Sequence, residues 1–527
     1  MSAQTSVPPE AARRHPLPQQ LLATLASRVV GSAYGTVAVT EVFTGATIID
    51  LPVADMADVA GLVDRARRAQ SAWGRAPFGD RAHVISKYLG LARTNKDTML
   101  DLIQAETGKG RWEAFIEFLE PNLTLSYYLR HGKAMLAPAR RESMVPLLVS
   151  TTEERHPVGV VGVIAPWNFP YAIGISDTLT ALLAGNAVIL KPDVQTSLDA
   201  LFAASLLEQA GLPADVLQVL VGPGETVGAE LVDHADYIAF TGSVATGRVV
   251  SQQISSRLVG CSLELGGKNS MIVLDDTELT DVAKSALRAC FMHAGQVCMA
   301  IEKILVPQAS LSRFLDLFRL AIEQLTFTNS YDFNGTLGSL TSAAQLSKVD
   351  GLVQDAVARG AVVVTGGMRR PELGPYFFEP TILTGVTSDM ALYRDEVFGP
   401  VVAVFGYNTV DEAVRLANDG PFGLNASVYG RDIKRAQQVA RRIRAGTVNI
   451  NEGFAAAYGS IGASAGGMGE SGLGRRHGSE GLLKYTEPQT IAVQRLALQS
   501  PPDWLRRDAT TTVAGHVYGL LNRLGLR

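Results

Sequence analysis

The chain has 527 residues, with 47 Lys and Arg against 51 Asp and Glu, so its formal net charge is −4. This length exceeds one hydrophobic core and predicts two or three domains, while the slight acidity and the lack of a basic stripe argue against general nucleic-acid binding. Three cysteines do not make a disulfide framework, so we expect a reduced, cytoplasmic protein.

We expect no export signal in the N-terminal region. Residues 1–20 are Pro-rich and lack an apolar segment, which predicts a disordered tail. The stretch 157–176 is uncharged and nearly long enough to span a bilayer, but it contains two further prolines, several glycines and Asn168. We predict a buried strand and then a loop here, and no integral membrane segment.

Strands and helices alternate through the first half of the chain. Residues 55–73 have apolar side chains at helical spacing and charges opposite, which predicts an amphipathic helix. In chain order, the pattern then predicts strand 158–166, a helix stopped by Gly185–Asn186, strand 187–191, a helix ending at Gly211, strands 216–222 and 235–242, helix 245–255 and two short strands within 262–274. This alternation indicates a parallel sheet covered by helices, as in dinucleotide-binding folds.

A second alternating region begins near residue 277. It predicts helix 277–294, strand 303–307, helix 310–325, strands 361–367, 380–386 and 401–407, helices near 411–418 and 432–444, and strand 446–453. Residues 484–495 are strand-like and are expected to add an edge to another subunit. GHVYGLLNRLGLR, in the tail after Pro501, predicts a surface or subunit-capping helix, with a peripheral membrane contact as the alternative.

Two motifs suit a phosphate or a ribose. In FTGSVATG (240–247), a strand ends at Gly242 and a helix begins near Gly247, and the N–H groups at a helix N-terminus suit a pyrophosphate. In ILKPD, Lys191 ends a predicted parallel strand, where ligands bind in open α/β sheets. Taken singly, an ordinary strand–helix turn and a solvated lysine remain open for these motifs.

Two further motifs suit reaction chemistry. Glu264 in LELGGKN lies in an apolar strand beside two glycines, which suits a general base, although a Glu paired with Arg is the alternative. Cys298 in FMHAGQVCMAIEK is a candidate nucleophile. An inert buried thiol is the alternative, and it fits Cys261 and Cys290 better. A protease-like dyad with His293 is conceivable, but the two side chains would not meet well on a helix.

The order of these motifs resembles the aldehyde dehydrogenase superfamily from about residue 35 to 495. The motifs that carry the resemblance are APWNFP, AGNAVILKPD, FTGSVATG, LELGGKN, GQVC, DEVFGP, GTVNIN and GGMGESGLGRRHG. The resemblance implies a Rossmann-type cofactor domain, an α/β catalytic domain and a small β flap for oligomerisation. It places them at 21–138 with 157–266, at 267–478, and at 139–156 with 484–497, followed by a C-terminal extension at 498–527. A homodimer or homotetramer is expected.

The resemblance also implies roles for particular residues. Cys298 would attack the aldehyde, Asn168 and the N–H of Cys298 would stabilise the oxyanion, and Glu264 would activate water on the thioester. Glu396 would hold the nicotinamide ribose and Phe398 would pack near the ring. The other cofactor-site residues implied are Trp167, Lys191, Asp193, Val194, Gly242, Ser243, Gly247 and Leu265. No metal site is predicted.

One position bears on the cofactor. NAD-preferring members of this superfamily often carry a Glu three residues after the lysine, and this chain has Val194 there. A carboxylate would repel a 2′-phosphate, whereas valine would not. We therefore predict NADP as the preferred cofactor, with NAD possible.

The resemblance implies a small aldehyde as the substrate. The sequence is most similar to a bacterial NADP-type succinic semialdehyde dehydrogenase subgroup, so succinic semialdehyde is the first substrate predicted. Ser176 and Met292 stand where such enzymes place carboxylate-binding arginines, which leaves Arg475 and Arg476 as candidate donors. A less acidic aliphatic or aromatic aldehyde is the alternative. A CoA-acylating enzyme and a non-catalytic relative of the same fold are further alternatives.

Overall fold

A computed structural model describes residues 15–30, 35–143, 149–494 and 508–523. Most of the predicted N-terminal tail lies outside these ranges, as do residues 144–148 and 495–497 of the predicted flap and much of the C-terminal extension. The division into domains stays a prediction. The predicted α/β fold class is confirmed by two large sheets covered by helices.

The first half of the chain alternates as its sequence pattern predicts, and the predicted helix 55–73 is present as α2. In chain order its elements are α1 Gln19–Ala26, β1 Thr36–Thr40, β2 Thr47–Pro52, α2 Met56–Trp73, α3 Phe78–Thr94, α4 Lys96–Thr107, α5 Arg111–Leu136, β3 Ala139–Arg141, β4 Val149–Pro157, β5 Val160–Ile164, α6 Ser176–Leu183, β6 Ala187–Lys191, α7 Leu198–Ala210, β7 Leu217–Val219, α8 Ala229–His234, β8 Tyr237–Thr241, α9 Val244–Ser255 and β9 Gly260–Glu264.

The second half continues the alternation with a different set of strands. Its elements are β10 Asn269–Val273, α10 Leu279–Phe291, β11 Ile301–Pro307, α11 Leu311–Ile322, α12 Ala343–Ala358, β12 Val362–Thr365, β13 Thr381–Thr384, α13 Ala391–Arg394, β14 Val401–Tyr407, α14 Val410–Ala417, β15 Asn425–Tyr429, α15 Ile433–Ala440, β16 Thr447–Ile450, α16 Ala455–Tyr458, β17 Gly472–Leu473, α17 Gly478–Leu483, β18 Thr486–Gln494 and α18 Asp508–Arg523.

Two large sheets organise these elements. The first has the order β17-β9-β8-β5-β6-β7, and the second has the order β12-β13-β14-β11-β10-β15-β16. Both are parallel except at one edge, where β17 runs antiparallel to β9 and β12 antiparallel to β13. The central strands β5, β6 and β10 are almost wholly buried, which explains their continuous apolar sequence. Smaller antiparallel sheets comprise β1-β2 and β18-β4-β3.

The C-terminal segments show two exposed surfaces. Strand β18 forms the edge of its three-stranded sheet, and beyond its first residue its side chains are exposed. The tail predicted to be helical after Pro501 contains α18, whose Val513, Val517 and Leu520 are exposed. Across the described ranges, no helix combines the length and apolar character needed to cross a membrane.

Two predicted elements differ from the structure. The loop predicted after β5 is a helical turn over Pro170–Ile175 that leads into α6. Its N-terminus is stabilised by the Glu117 carboxylate, which accepts from the N–H groups of Tyr171 and Ala172. The helix predicted over 277–294 ends at Phe291, and Met292–Gly295 forms a separate tight turn.

Candidate active site

Four neighbouring parallel strands deliver candidate site residues to one edge of the first sheet. Lys191 ends β6 and pairs with Ile164, which ends β5 just before Trp167. On the other side of β5, Thr241 ends β8 and pairs with Glu264 at the end of β9. The carboxyl ends of parallel strands meet at one edge, and ligands of open α/β sheets bind at that edge.

The second sheet faces this edge with the segments that precede its strands. Cys298 comes just before β11, and Glu396 and Phe398 come just before β14. Between the two sheets lies a cavity of about 200 Å³. It is lined by Pro166, Trp167, Asn168, Ile173, Thr241, Gly242, Ser243, Glu264, Leu265, Gly266, Cys298, Gln345, Lys348, Glu396 and Phe398. Nine of the thirteen predicted site residues are therefore brought together.

Cys298 is held at the cavity by its backbone. Asn269, the first residue of β10, donates from Nδ2 to the carbonyl oxygens of Cys298 and Ala300, each at 2.8 Å. The N–H of Cys298 donates no hydrogen bond to any described residue, so it is available to a ligand. Burial raises the pKa of the Cys298 thiol to about 12, and the nearby Glu396 and Glu264 contribute to the rise. The free protein therefore holds Cys298 as a thiol at neutral pH.

The turn before Cys298 has an unusual backbone. His293, Ala294 and Gly295 have φ values of 50°, 51° and 73°, in the left-handed region. Glu113 accepts from the N–H of His293 at 2.6 Å, which helps to hold the turn. A Cβ on Gly295 would lie 2.0 Å from the carbonyl oxygen of Gly399, so glycine is required at this close approach.

The structure does not form a Cys–His dyad. His293 is fully buried, and neither of its ring nitrogens has a hydrogen-bond partner among the described residues. Its ring packs edge-on against Phe169, with centroids 5.7 Å apart. Burial lowers the pKa of His293 well below its usual value, so this residue is a neutral core histidine.

Asn168 lies close to the Cys298 backbone. Its Nδ2 donates to the carbonyl oxygen of Gln296 at 2.9 Å, which uses one of its two amide hydrogens. The backbone carbonyl oxygen of Asn168 accepts from Nζ of Lys109 at 2.8 Å, and Lys109 is ion paired with the buried Glu117. Asn168 is thus fixed at the cavity wall with an amide hydrogen to spare.

Glu264 is a half-buried carboxylate without a hydrogen-bond partner among the described residues. Its Oε1 is buried and accepts no hydrogen bond from the described residues, and the carboxylate forms no ion pair with them. The alternative of a Glu paired with Arg is therefore not what the structure contains. Burial raises the pKa of Glu264 to about 7, against the opposing effect of the Arg476 and Lys484 charges. A cavity carboxylate with this pKa suits a general base at neutral pH.

A buried ion pair supports the loop that carries Glu396 and Phe398. Nζ of Lys268 lies 2.6 Å from Glu302 and donates to the carbonyl oxygen of Asp395 at 2.7 Å. Glu302 in turn accepts from the N–H of Phe398 at 3.0 Å. Phe398 has a left-handed φ of 55° and packs edge-on against Trp167, with centroids 5.3 Å apart. The Glu396 carboxylate accepts from the N–H of Gly267 at 3.0 Å.

Four predicted site residues lie outside the cavity wall. Lys191, Asp193 and Val194 follow β6, and Asp193 caps the short turn Val194–Thr196. Gly247 lies in α9, where a Cβ would come 2.5 Å from Leu265, a cavity residue. Its role here is to let α9 approach β9 closely.

The residues present fit a dinucleotide. Lys191 is 5% exposed, and its Nζ forms no hydrogen bond or ion pair with the described residues. Burial lowers the pKa of Lys191, against the opposing effect of the Asp193 and Glu225 charges. Ser243 caps α9 through its hydroxyl, and the first turn of this helix has no acidic residue. A cation without an ion pair and a helix N-terminus at the same edge of the first sheet suit a ligand with phosphates.

The candidate carboxylate donors are already engaged. Arg476 is ion paired with Asp177, and it also donates to Oγ1 of Thr241 at 2.9 Å. Arg475 donates to the carbonyl oxygens of Gly467 and Gly474. Arg476 is therefore ion paired with an acid, whereas Arg475 contacts only backbone carbonyl groups in these hydrogen bonds.

Several supporting residues escaped the sequence analysis. Asn269 and Lys268 lie within the LELGGKN motif, but only the folded structure shows that they contact Cys298 and Glu302, respectively. Glu113, Glu117 and Glu302 are buried acids in helices or strands, and a buried acid needs a partner. That rule could have marked these three residues, although it does not identify their partners.

Comparisons with known proteins agree on one family. The model of the aldehyde dehydrogenase family matches residues 29–491. A Mycolicibacterium smegmatis protein named "Putative succinate-semialdehyde dehydrogenase (NADP+)" is 47% identical, over 88% of this chain and 89% of its own. The 4,4'-diapolycopene aldehyde oxidase of a Methylomonas species is 34% identical, over 90% of this chain and 89% of its own.

A solved structure shows the same fold. The NAD-dependent aldehyde dehydrogenase from Sinorhizobium meliloti matches with a TM-score of 0.85 and 31% sequence identity. The match covers 90% of this chain and 94% of that one.

Proposed function

The chain belongs to the aldehyde dehydrogenase family, and from this premise we propose that it oxidises an aldehyde to a carboxylic acid through a thioester on Cys298. The observation that carries the proposal is the meeting of Cys298, Asn168 and the unpartnered Glu264 at one cavity. A nucleophile, an oxyanion donor and a base are the groups that this reaction needs.

The first step is attack by sulfur. Sγ of Cys298 bonds to the carbonyl carbon, the C=O electron pair moves to oxygen and the thiol proton passes to water, which gives the anion of a thiohemiacetal. The free amide hydrogen of Asn168 and the unbonded N–H of Cys298 are the donors available to the new oxyanion. Removal of one such donor costs about 10²- to 10³-fold in kcat in other enzymes.

This chain's own residues would hold the cofactor. We assign Lys191 and the N-terminus of α9 to its phosphates, Glu396 to the nicotinamide ribose, and Trp167 and Phe398 to the ring. When bound, NADP in its oxidised form would supply the acceptor for the hydride that leaves the former aldehyde carbon. The Lys268–Glu302 pair contributes indirectly, because it positions the loop of Glu396 and Phe398.

The last step releases the acid. Glu264 accepts a proton from water, the water oxygen bonds to the thioester carbon, and the bond to Sγ breaks to return Cys298. A pKa of about 7 leaves a large share of Glu264 ionised at neutral pH. The alternative of a CoA-acylating enzyme does not need this carboxylate.

The proposal is tested by stoichiometry. Purified protein with aldehyde and NADP should yield reduced cofactor and free acid in equal amounts. An acyl-CoA product that forms only when CoA is added would support the acylating alternative. No reduced cofactor with any aldehyde would support the non-catalytic alternative.

Two substrate classes follow from different observations. Relatives such as the Mycolicibacterium protein carry a succinate-semialdehyde dehydrogenase name, which supports succinic semialdehyde. Ser176 and Met292, which stand where carboxylate-binding arginines are expected, support an uncharged aliphatic or aromatic aldehyde. We also propose a homodimer or homotetramer assembled through the exposed edge of β18, and a cytoplasmic location.

NADP is the proposed preferred cofactor, because Val194 leaves no carboxylate to repel a 2′-phosphate. Val194→Glu is expected to lower kcat/KM for NADP by about tenfold or more, with a smaller effect on NAD. Val194→Gln has the same length without the charge and serves as the control. Initial rates with both cofactors measure the ratio. A higher kcat/KM for NAD than for NADP in the unmodified protein would contradict the preference.

Thioester hydrolysis should depend on pH through Glu264. The ionised carboxylate is the active form, so the rate should increase with pH through about pH 7. Near pH 6 it should be about a tenth of its maximum.

Arg476 lowers the pKa of Glu264, so Arg476→Gln should move this profile to higher pH, while Arg476→Lys should preserve it. The measurement is the steady-state rate against pH. An unshifted profile for Arg476→Gln would exclude this electrostatic role.

A further inference from the structure

The two proposed oxyanion donors come from different sheets. Asn168 follows β5 of the first sheet, whereas the N–H of Cys298 precedes β11 of the second. Two donors act together on one oxygen only when their separation is held to within about 0.5 Å. An element that contacts both segments is therefore needed to fix that separation.

Helix α5 contacts both segments through two buried carboxylates. Glu113 and Glu117 are four residues apart and so lie on one face of the helix, where they are 6% and 1% exposed. Glu117 accepts from the N–H of Tyr171 at 2.9 Å, in the turn that follows Asn168. Glu113 accepts from the N–H of His293 at 2.6 Å, in the turn before the candidate nucleophile. One helix face thus holds both of the segments that carry the donors.

The ammonium group of Lys109, two residues before α5, contacts the Asn168 segment directly. Its Nζ is ion paired with Glu117, and both side chains are 0% exposed. The same Nζ donates to the backbone carbonyl oxygen of Asn168 at 2.8 Å and lies 4.0 Å from the ring centroid of Phe169. These contacts of the buried cation therefore join α5 to two successive residues of the oxyanion segment.

Stability alone gives little reason for such a pair. Taking two charges out of water is costly, and a buried ion pair is often no more stable than well-packed apolar residues in its place. Burial raises the pKa of Glu117, against the opposing effect of the Lys109 charge. An apolar pair of the same size could not provide the directed hydrogen bond from Lys109 to Asn168.

A ring of hydrogen bonds closes between the two segments. Nδ2 of Asn168 donates to the carbonyl oxygen of Gln296 at 2.9 Å, and Nε2 of Gln296 donates to the carbonyl oxygen of His293 at 3.0 Å. Glu113 then connects His293 to α5, and Lys109 connects Asn168 to the start of the same helix. The ring therefore fixes the direction of the remaining amide hydrogen of Asn168.

We propose that α5 sets the separation of the two oxyanion donors. The Lys109–Glu117 pair positions Asn168, and Glu113 positions the turn that precedes the nucleophile. The cavity is lined by other described residues, so these three are positioning residues and not catalytic ones. This inference rests on the proposed function and identifies further residues on which its first step depends.

A double-mutant cycle with Asn168 tests the ion pair. Lys109→Met combined with Glu117→Gln removes both charges at similar size, so no unpaired charge stays buried. With NADP and the aldehyde of highest kcat/KM, this change should slow the first turnover by about 10- to 100-fold, because the amide hydrogen loses its direction. In Asn168→Ala protein the same change should have less than about a twofold further effect, since the side chain through which the pair acts is gone.

The buried pair of Lys268 and Glu302 is the matched control. It supports the loop of Glu396 and has no contact with the oxyanion segment among its hydrogen bonds to described residues. Lys268→Met combined with Glu302→Gln should therefore slow the first turnover by the same factor with and without the Asn168 side chain. If the change at Lys109 and Glu117 behaved in this way too, its role would be generally structural and the inference would be overturned.

Two variants test Glu113. Glu113→Gln keeps an acceptor oxygen at the same reach, so the first turnover should stay within about threefold of the unmodified rate. Glu113→Leu leaves the N–H of His293 without its acceptor and should slow the first turnover by about tenfold or more. A titration with NADP should give the same Kd for both variants, since α5 is absent from the proposed cofactor site. Equal loss in both variants, or no loss in either, would overturn the role of Glu113.

The outcomes separate this inference from the proposed function. Reduced cofactor from the unmodified protein, together with independent effects in the Asn168 cycle, would overturn the inference and leave aldehyde oxidation standing. The unmodified protein is also assayed with succinic semialdehyde, an aliphatic aldehyde and an aromatic aldehyde. Reduced cofactor with none of them would overturn the proposed function, and the inference would fall with it.

Discussion

Cys298→Ala is expected to lower kcat for aldehyde oxidation by about 10⁴-fold or more, because the variant has no group that can form the thioester. The side chain is only partly buried and packs at the edge of a hydrophobic cluster that includes Met292, Val297 and Phe454, so its loss should not unfold the protein. Binding of NADP should be retained, since Lys191 and α9 are untouched. Steady-state rates and a cofactor titration measure the two properties.

Cys261→Ala is the matched control. Cys261 lies in β9, is half-buried and is absent from the cavity lining, so the same substitution there should leave kcat within about twofold. If Cys298→Ala kept a few per cent of the activity, the covalent route would be excluded. If both variants lost activity, the thiols would matter for stability and the assignment of Cys298 would lose its support.

Glu264→Gln is expected to separate the two halves of the reaction. Without a base for water, steady-state turnover should fall by about 10²- to 10⁴-fold, while the first turnover should persist. Glu264 raises the pKa of Cys298, so removal of its charge should ease formation of the thiolate and should not slow the first step. Rapid mixing should then show a burst of about one equivalent of reduced cofactor per site, followed by a slow phase.

The opposite kinetic pattern would change the assignment. If Glu264→Gln lost the burst together with steady-state turnover, the carboxylate would act on the thiol or on cofactor binding. Glu264→Asp serves as the conservative control, since it keeps the charge and withdraws it by one methylene. Partial recovery of the slow phase in this variant is expected for a base that acts through water.

Much of the cofactor side was predictable from short stretches of sequence. The strand that ends at Lys191 is a run of apolar residues, and the turn at Gly242 and Ser243 joins a strand to a helix. Such patterns are local, because strand and helix periods and cap residues lie within a few positions of each other. The topology then brings Lys191, Thr241 and Glu264 to one sheet edge, since parallel strands share a direction.

The remaining features depend on contacts between distant segments. The left-handed turn before Cys298 is set by Glu113 and by the close approach of Gly399, more than 100 residues away on either side. The helical turn at Pro170–Ile175 needs Glu117 at its N-terminus. The partnership of Glu120 with Ser176 joins α5 to α6. No local pattern contains such pairs, which is why a loop was predicted in one case and a longer helix in another.

The site also shows why a single motif was insufficient. Taken alone, Cys298 could be an inert thiol, and its pKa of about 12 in the free protein is that of an unreactive one. What distinguishes it is its surroundings, namely an unbonded backbone N–H, a fixed Asn168 and a carboxylate without a partner. Cys290, which is fully buried in the core, has none of these.

The most direct test of thioester chemistry at Cys298 is a peptide mass measurement. Glu264→Gln protein is mixed with NADP and the aldehyde that gives the unmodified protein its highest kcat/KM, quenched in acid, digested and analysed for modified cysteines. We predict that the peptide containing Cys298 carries the acyl group of the aldehyde, only when NADP is present, while Cys261 and Cys290 remain unmodified. An acyl group on another cysteine, or reduced cofactor formed with no modified cysteine, would contradict oxidation through a Cys298 thioester.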